Sequence, residues 1–438
     1  MSGTLTRLRA NYDQIAMLAG VAFAIPYIYF ASTNLGALVF LWGLLCLWHL
    51  RSFKGFIPAA VLSGFLLLYG FFRSDFVAMI AAGKGVAEAY AASKRYFQAP
   101  MIMWFTAWAL VLACRDLAVD KSGLVMKWLF RGILALSVIE LLDAISGFGL
   151  RTQVNNIFHG GHRPEMLVVR TSNANMVLTM LFWPISYYLI QRRVFGPVIF
   201  MALSLVVTAF AVDTNAQIMA LGLGVIVFAA VRFWPKALET KGIKPERVMA
   251  ILASGTILGF PALIDWLMRT GLALKIKTDL LPSWADRIDI WSFAVARSLE
   301  KPVWGWGYEA SRQFDPHIPN HPHSLSLQAW LELGIPGLVA LAALWFCAFW
   351  FMAPKGEAIA PTQSQGLRDI DAAPEAVPED YPAQVARPYF LAAATGYFAV
   401  NMISFGLWRM WYYCLGALTL GVALMAVKAV RAQLKLQN

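Results

Sequence analysis

The sequence predicts an all-α polytopic membrane protein, with about 12 transmembrane helices and a large periplasmic loop between helices nine and ten. Three observations carry this. Hydrophobic residues make up 59% of the 438 residues and charged residues only 14%, against roughly 45–50% and 25% in soluble domains. The mean hydropathy is +0.60, more apolar surface than a soluble fold of this length hides. The apolar runs are also continuous rather than alternating, which argues against a β-barrel.

A span needs about 20 apolar residues. Candidate spans run over 14–32, 34–50, 56–72, 100–114, 125–145, 173–190, 195–212, 215–231, 248–267, 325–352, 388–406 and 410–427. The fourth is the weakest, and the small-residue-rich segment 73–98 before it suits an interfacial helix. The first apolar run follows Arg7 and Arg9 without a small-residue cleavage site, so it reads as a span rather than a cleaved signal. The net charge of +11 would suggest nucleic acid in a soluble protein. Here Lys and Arg flank the spans, so no nucleic-acid partner is expected and membrane lipids are. With the N-terminus cytoplasmic, 20 of the 36 basic residues fall on the cytoplasmic side, the short segments 51–54 and 191–193 being the cleanest. Both termini are then cytoplasmic in a bacterial inner membrane. The chain reads as one integral membrane domain, 1–438. Its periplasmic loops are 147–172 and 268–324, and 353–387 is a flexible cytoplasmic linker rich in Ala, Pro, Glu and Asp. Cys46, Cys114, Cys347 and Cys414 lie in or beside apolar runs, so neither a disulfide nor a metal site is expected of them.

Five of the six histidines lie in the two large outer segments: His159, His162, His317, His321 and His323. A transporter places its ionisable groups nearer the membrane midplane, whereas this grouping suits a site at the membrane boundary. In Asp315-Pro-His317-Ile-Pro-Asn320-His321-Pro-His323-Ser324, Pro319 and Pro322 forbid a regular helix before His323. His323 then sits at a helix N-terminus, where the dipole disfavours the imidazolium and leaves the neutral ring a general base needs. The bland alternative is a histidine that merely caps the helix. A zinc or manganese site over His317, His321 and His323 is the weakest option, because the prolines break the helix that would align the first two.

Arg163 and Arg170 in the first outer segment, Arg287 in the second and Arg409 in the last outer turn offer planar forks that match phosphate oxygens. The alternatives are snorkelling or pairing with acids such as Asp286 and Asp289. Glu140 and Asp143 share a face near the outer end of the fifth span. They either orient the arginines or face water at the span's end.

His323-Ser324, nine residues, then Gly334-x-x-Gly337 resembles the His-[Asn/Ser/Gln]-x9-Gly-x-x-Gly signature of the O-antigen ligase and polymerase superfamily, bacterial lipid-linked glycan transferases that include O-oligosaccharyltransferases. The Arg287-Ile-Asp-Ile-Trp291 stretch, Lys301-Pro-Val-Trp-Gly305-Trp-Gly307 and Arg170-Thr-Ser-Asn173-Ala-Asn175 also look familial, as does the large outer loop before the histidine. The resemblance covers roughly 125–345 and rests elsewhere on topology alone. Three features depart from the pattern: Ser324 stands where many members have Asn, Leu338 follows Gly337 where oligosaccharyltransferases prefer a small residue, and Asp213-Thr214-Asn215 replaces a Ser-Arg pair.

The resemblance implies a glycosyltransferase that moves a glycan from undecaprenyl diphosphate to a sugar hydroxyl at the outer leaflet, without metal or cofactor. With a lipid A–core acceptor it is an O-antigen ligase. With a lipid-linked glycan acceptor it is an O-antigen or exopolysaccharide polymerase. His323 is then the base. Arg170, Arg287 and Arg163 hold the diphosphate. His321, Glu140, Asp143 and Arg409 support these groups or the acceptor. A lipid-linked glycan flippase is the alternative from another class, though its charges would spread over many spans.

Overall fold

The computed structural model describes residues 2–96, 100–159, 164–280, 282–352 and 381–437. Among them the regular structure is helical throughout. The first apolar stretch forms α1 (Ser2–Ala31) and α2 (Leu35–Leu44), parted by a short 3-10 turn at Ser32–Asn34. Then follow α3 (Ile57–Phe72), the short α4 (Asp75–Ala81) and α5 (Val86–Tyr96), α6 (Ile102–Asp116) and α7 (Val119–Ile145). The first large hydrophilic segment is itself helical: it carries α8 (Gly149–His159) and opens α9 (Pro164–Ile190). Next come α10 (Gly196–Ala211), α11 (Asn215–Arg232), α12 (Lys236–Thr240) and α13 (Pro245–Arg269). The second hydrophilic segment holds α14 (Leu272–Asp279) and α15 (Pro282–Glu300), and the chain ends in α16 (Leu325–Trp350), α17 (Tyr381–Ile403) and α18 (Met410–Gln437).

Helix overlies each of the twelve candidate spans. Among the described residues five stretches are long and apolar enough to cross a membrane by length and composition: Leu8–Leu44, Asn215–Arg232, Pro245–Arg269, Leu325–Trp350 and Met410–Lys435. A sixth is added if α3 and α4, bent by 43°, form one broken span. The α6 helix, with 15 residues, and the α7 helix, which carries the buried Glu140 and Asp143, fall outside that set.

The linker needs a correction at its end. Residues 353–380 lie outside the described residues, but 381–387 are the first turns of α17, not linker. Pro382 suits a first helical turn, and Arg387 pairs with Glu239 and the buried Glu246, which holds the helix start in place.

Among the described residues the buried apolar side chains form three cores. One joins α1, α2, α6, α7, α9, α10, α11, α17 and α18, a second joins α3, α11, α13, α16 and α17, and a third joins α13, α15 and α16. Within the second core α16 is sharply bent. Its Gly334 has φ 68° and ψ −162°. The Ser326 hydroxyl donates to the Ile257 carbonyl at 2.6 Å, and the Ser254 hydroxyl donates to the Ala342 carbonyl at 3.0 Å. Residues 254 and 257 are within one turn of each other on α13, whereas a straight helix would set 326 and 342 about 24 Å apart. The half that follows His323 therefore leaves the direction of the half that follows Gly334.

Candidate active site

The site is built where α16 begins. Ser324 is its N-cap, in extended conformation, and its hydroxyl accepts from the Leu327 N–H at 3.5 Å. His323 precedes it with φ 52°, a left-handed conformation that an L-residue adopts at some cost. Two contacts hold it there. Its backbone N–H donates to His321 Nδ1 at 3.1 Å, and its ring Nδ1 lies 3.2 Å from the Ser404 carbonyl oxygen. The two rings stand 4.3 Å apart, centre to centre.

These partners fix the tautomers. A carbonyl only accepts, so His323 Nδ1 carries the hydrogen and Nε2 keeps its lone pair. An N–H only donates, so His321 Nδ1 keeps a lone pair and its Nε2 carries the hydrogen. Burial comes first in holding His321 down to about 3, helped by His323, Arg409, Arg312 and Arg287. Burial also lowers His323, joined by Arg287 and Arg409 and opposed by the Ser404 bond. Both rings are therefore neutral at pH 7, one offering a base and the other a donor.

The cations come from two further elements. Arg287, on α15, lies with its guanidinium 4.7 Å from the Trp284 ring centre. Asp289, offered by the sequence as its partner, pairs instead with Lys277 at 2.6 Å. Arg409 follows the turn after α17, its N–H donating to the Gly406 carbonyl at 3.2 Å. Among the described residues neither Arg287 nor Arg409 pairs with a carboxylate, and burial lowers the pKa of each. Arg312, nearby, is paired with Glu309 at 3.1 Å.

One residue the sequence reading missed ties these loops together. Glu332, fully buried in α16, accepts from the Glu309 N–H at 2.9 Å, the Ser311 hydroxyl at 2.6 Å, Gln328 Nε2 at 2.9 Å and the Trp408 indole. Gln328 in turn accepts from the Leu407 N–H at 2.6 Å. A carboxylate in an apolar helix was the available signal. The glycines have a matching reason. A Cβ on Gly334 would meet the Val303 carbonyl oxygen at 2.1 Å, and one on Gly305 would meet Glu332 backbone at 2.5 Å. Gly305 and Gly334 are thus the two sides of one close backbone contact. Gly406 likewise lets the turn approach His321, whose Cγ would be 2.8 Å from a Cβ there.

The other candidates gather elsewhere. Glu140 and Asp143 do not face water. Both bind Arg151, which is also buried: Glu140 pairs with its Nη2, and Asp143 lies 3.4 Å from its Nε. Tyr29 donates to Asp143 at 3.2 Å and lies under the Arg151 guanidinium at 4.4 Å. Arg170 neighbours this group, and its carbonyl accepts from the Ser32 hydroxyl at 2.6 Å. The structure thus brings His321, His323, Arg287 and Arg409 together and sets Arg170, Glu140 and Asp143 around Arg151. The turn 404–411 touches both, because Trp411 donates to the Ser32 carbonyl while Ser404 accepts from His323. His317 stacks on Phe293 at 4.5 Å, away from the other two histidines. Among the described residues no three His, Cys, Asp or Glu groups gather as metal ligands. Arg163 and His162 lie outside the described residues, as does the His159 side chain.

Comparison with known proteins agrees with the resemblance. Residues 198–342 match the O-antigen ligase family model, a stretch that contains Arg287, His323 and both glycine motifs. A protein of Rickettsia conorii is 25% identical over 231 residues, 49% of this chain and 48% of the relative. One of Rickettsia bellii is 24% identical over 255 residues, 54% and 53%, and one of Rickettsia prowazekii 24% over 230 residues, 49% and 48%. All three bear the name "Putative polysaccharide ligase". The chain spans about half the length of the curated relatives it matches.

Proposed function

We propose, for a chain that the comparisons put in the O-antigen ligase superfamily, that it transfers a glycan from undecaprenyl diphosphate to a sugar hydroxyl, with lipid A–core as acceptor. The observation that carries this is the His323 ring. Its Nδ1 is committed to the Ser404 carbonyl, so Nε2 is the base, and Arg287 and Arg409 are close enough to lower its pKa. In the reaction Nε2 takes the acceptor hydroxyl proton as the hydroxyl oxygen bonds to the anomeric carbon. The bond from that carbon to the diphosphate breaks, and the diphosphate leaves with the electron pair. Arg287 and Arg409 face the charge that develops there, Arg170 and Arg163 serve the rest of the diphosphate, and the His321 Nε2–H donates to substrate oxygen. Diphosphate is a good leaving group, so this reading uses no metal. The chain crosses the inner membrane about twelve times, with both termini cytoplasmic and the site at the periplasmic face.

A surface-polysaccharide gel of a deletion strain tests the reading. Lipid A–core without glycan, alongside accumulated polymer on undecaprenyl diphosphate, is the expected result. Core capped by a single repeat would make the enzyme a polymerase of O-antigen. Unchanged lipopolysaccharide with loss of a secreted polysaccharide would make it an exopolysaccharide polymerase. Lipid-linked glycan trapped at the cytoplasmic face would make it a flippase.

A further inference from the structure

The backbone contact that holds Gly334 has another side. There a cavity of about 470 Å³ is lined by Arg73, at the end of α3, and by the 301–306 segment. Its lining holds two cations and no carboxylate. Lys301 Nζ stands 3.8 Å above the Trp306 ring centre, and among the described residues it has no ion pair. Arg73 gives Nη2 to the Gly305 carbonyl at 3.2 Å, while its Nε is buried with no partner. Two cations and an unused buried donor in one cavity call for an anion.

The surroundings say what the anion is attached to. Val303 and Trp304, on the rim, are 46% and 61% exposed. Two exposed apolar ridges lead away from it. On α3 they are Val61, Phe65, Leu68 and Phe72, spaced to share one face, and on α16 they are Ile335 and Val339. The two helices pack against each other. In a chain read as spanning a membrane, such ridges face acyl chains, and Trp304 suits the boundary where headgroups lie.

We infer that this cavity seats the phosphate of a membrane lipid, with Arg73 and Lys301 on the phosphate oxygens and the chains along the ridges of α3 and α16. Its lining includes neither His321 nor His323, and it joins α16 through backbone bonds from the Trp306 N–H to the Leu331 carbonyl and from the Ile335 N–H to the Pro302 carbonyl.

Photo-crosslinking of the full chain in nanodiscs tests this by binding alone, whatever the enzyme's reaction. The probe is phosphatidic acid with a diazirine in one chain, and the control is diacylglycerol with the same chain. Labelling of peptides covering 57–73 and 301–306 should favour phosphatidic acid by about tenfold, the size of a charge-assisted contact. Lys301→Gln, an exposed change that leaves the fold intact, should remove most of that preference. Lys301→Arg should keep it, and Arg73→Gln with Lys301→Gln should abolish it. Unlabelled phosphatidic acid should compete, and glycerol phosphate at equal concentration should not. Equal labelling by diacylglycerol, or an undiminished preference in Lys301→Gln, overturns the proposal. Competition by glycerol phosphate would assign the cavity to free phosphate, and displacement by a soluble acidic oligosaccharide would assign it to glycan, each against a lipid.

Discussion

At the scale of single residues, the proposed transfer rests on His323 being neutral with Nε2 free to act. The sign of its pH dependence follows. The base form dominates above the group's own pKa, which burial, Arg287 and Arg409 push below the ordinary 6.5. The acid limb of kcat/KM should therefore lie below pH 6.5 and move upward in Arg409→Gln, which lifts one of the charges depressing it. A wild-type limb at or above 6.5 would count against the assignment. Gly406→Ala sets a Cβ against Gln328 Oε1 and His321, and overpacking of this kind costs about 1–3 kcal/mol. Activity should fall even where the protein still accumulates, as a transfer assay normalised to protein level would show. The position of His323 was legible because Pro319 and Pro322 keep the chain out of a helix until Ser324. Its tautomer was not, because that depends on Ser404, in a turn 81 residues away.

At the scale of elements, α16 organises the site, and Glu332 organises α16. Glu332→Gln keeps the size but turns one acceptor into a donor amid five donating groups, those of Glu309, Ser311 (two), Gln328 and Trp408. Each hydrogen bond to a buried charge contributes roughly 1.5–3 kcal/mol, so the variant should unfold at clearly lower temperature in detergent. An unchanged melting point would mean that Glu332 does not hold these loops. A second tie lies far from the histidine pair. His49 is buried, with Nε2 3.1 Å from Asp13 and Nδ1 2.9 Å from Asp116, and so it joins α1 to the end of α6. His49→Phe leaves Asp13 buried without that partner and should cost about 1–3 kcal/mol, read as a fall in melting temperature. The helices themselves were legible from their apolar runs. The bend at Gly334 was not: Gly334-x-x-Gly337 read as a signature, and its physical reason, the Val303 carbonyl, comes from a segment whose approach no local pattern shows.

At the scale of the whole molecule, membrane character was legible from composition, since no soluble fold hides that much apolar surface. The gathering of ionisable groups was only half legible. The sequence grouped the candidate arginines as one set, whereas the fold divides the described ones between the histidine pair and Arg151. That division depends on α7, α8 and α9 packing beside α1, which no local pattern reveals. The proposed topology puts Thr240 and Thr278, both exposed, on opposite sides of the membrane. Single cysteines placed there should react with an impermeant thiol reagent from the cytoplasmic and the periplasmic side respectively, and labelling of both from one side would refute the arrangement. The most direct test of the central claim uses purified protein, an undecaprenyl-diphosphate glycan and lipid A–core, comparing wild type with His323→Ala at equal melting temperature. Removal of a general base predicts a loss of roughly 10²–10⁴-fold in transfer rate. Transfer by His323→Ala within a few-fold of wild type would contradict it.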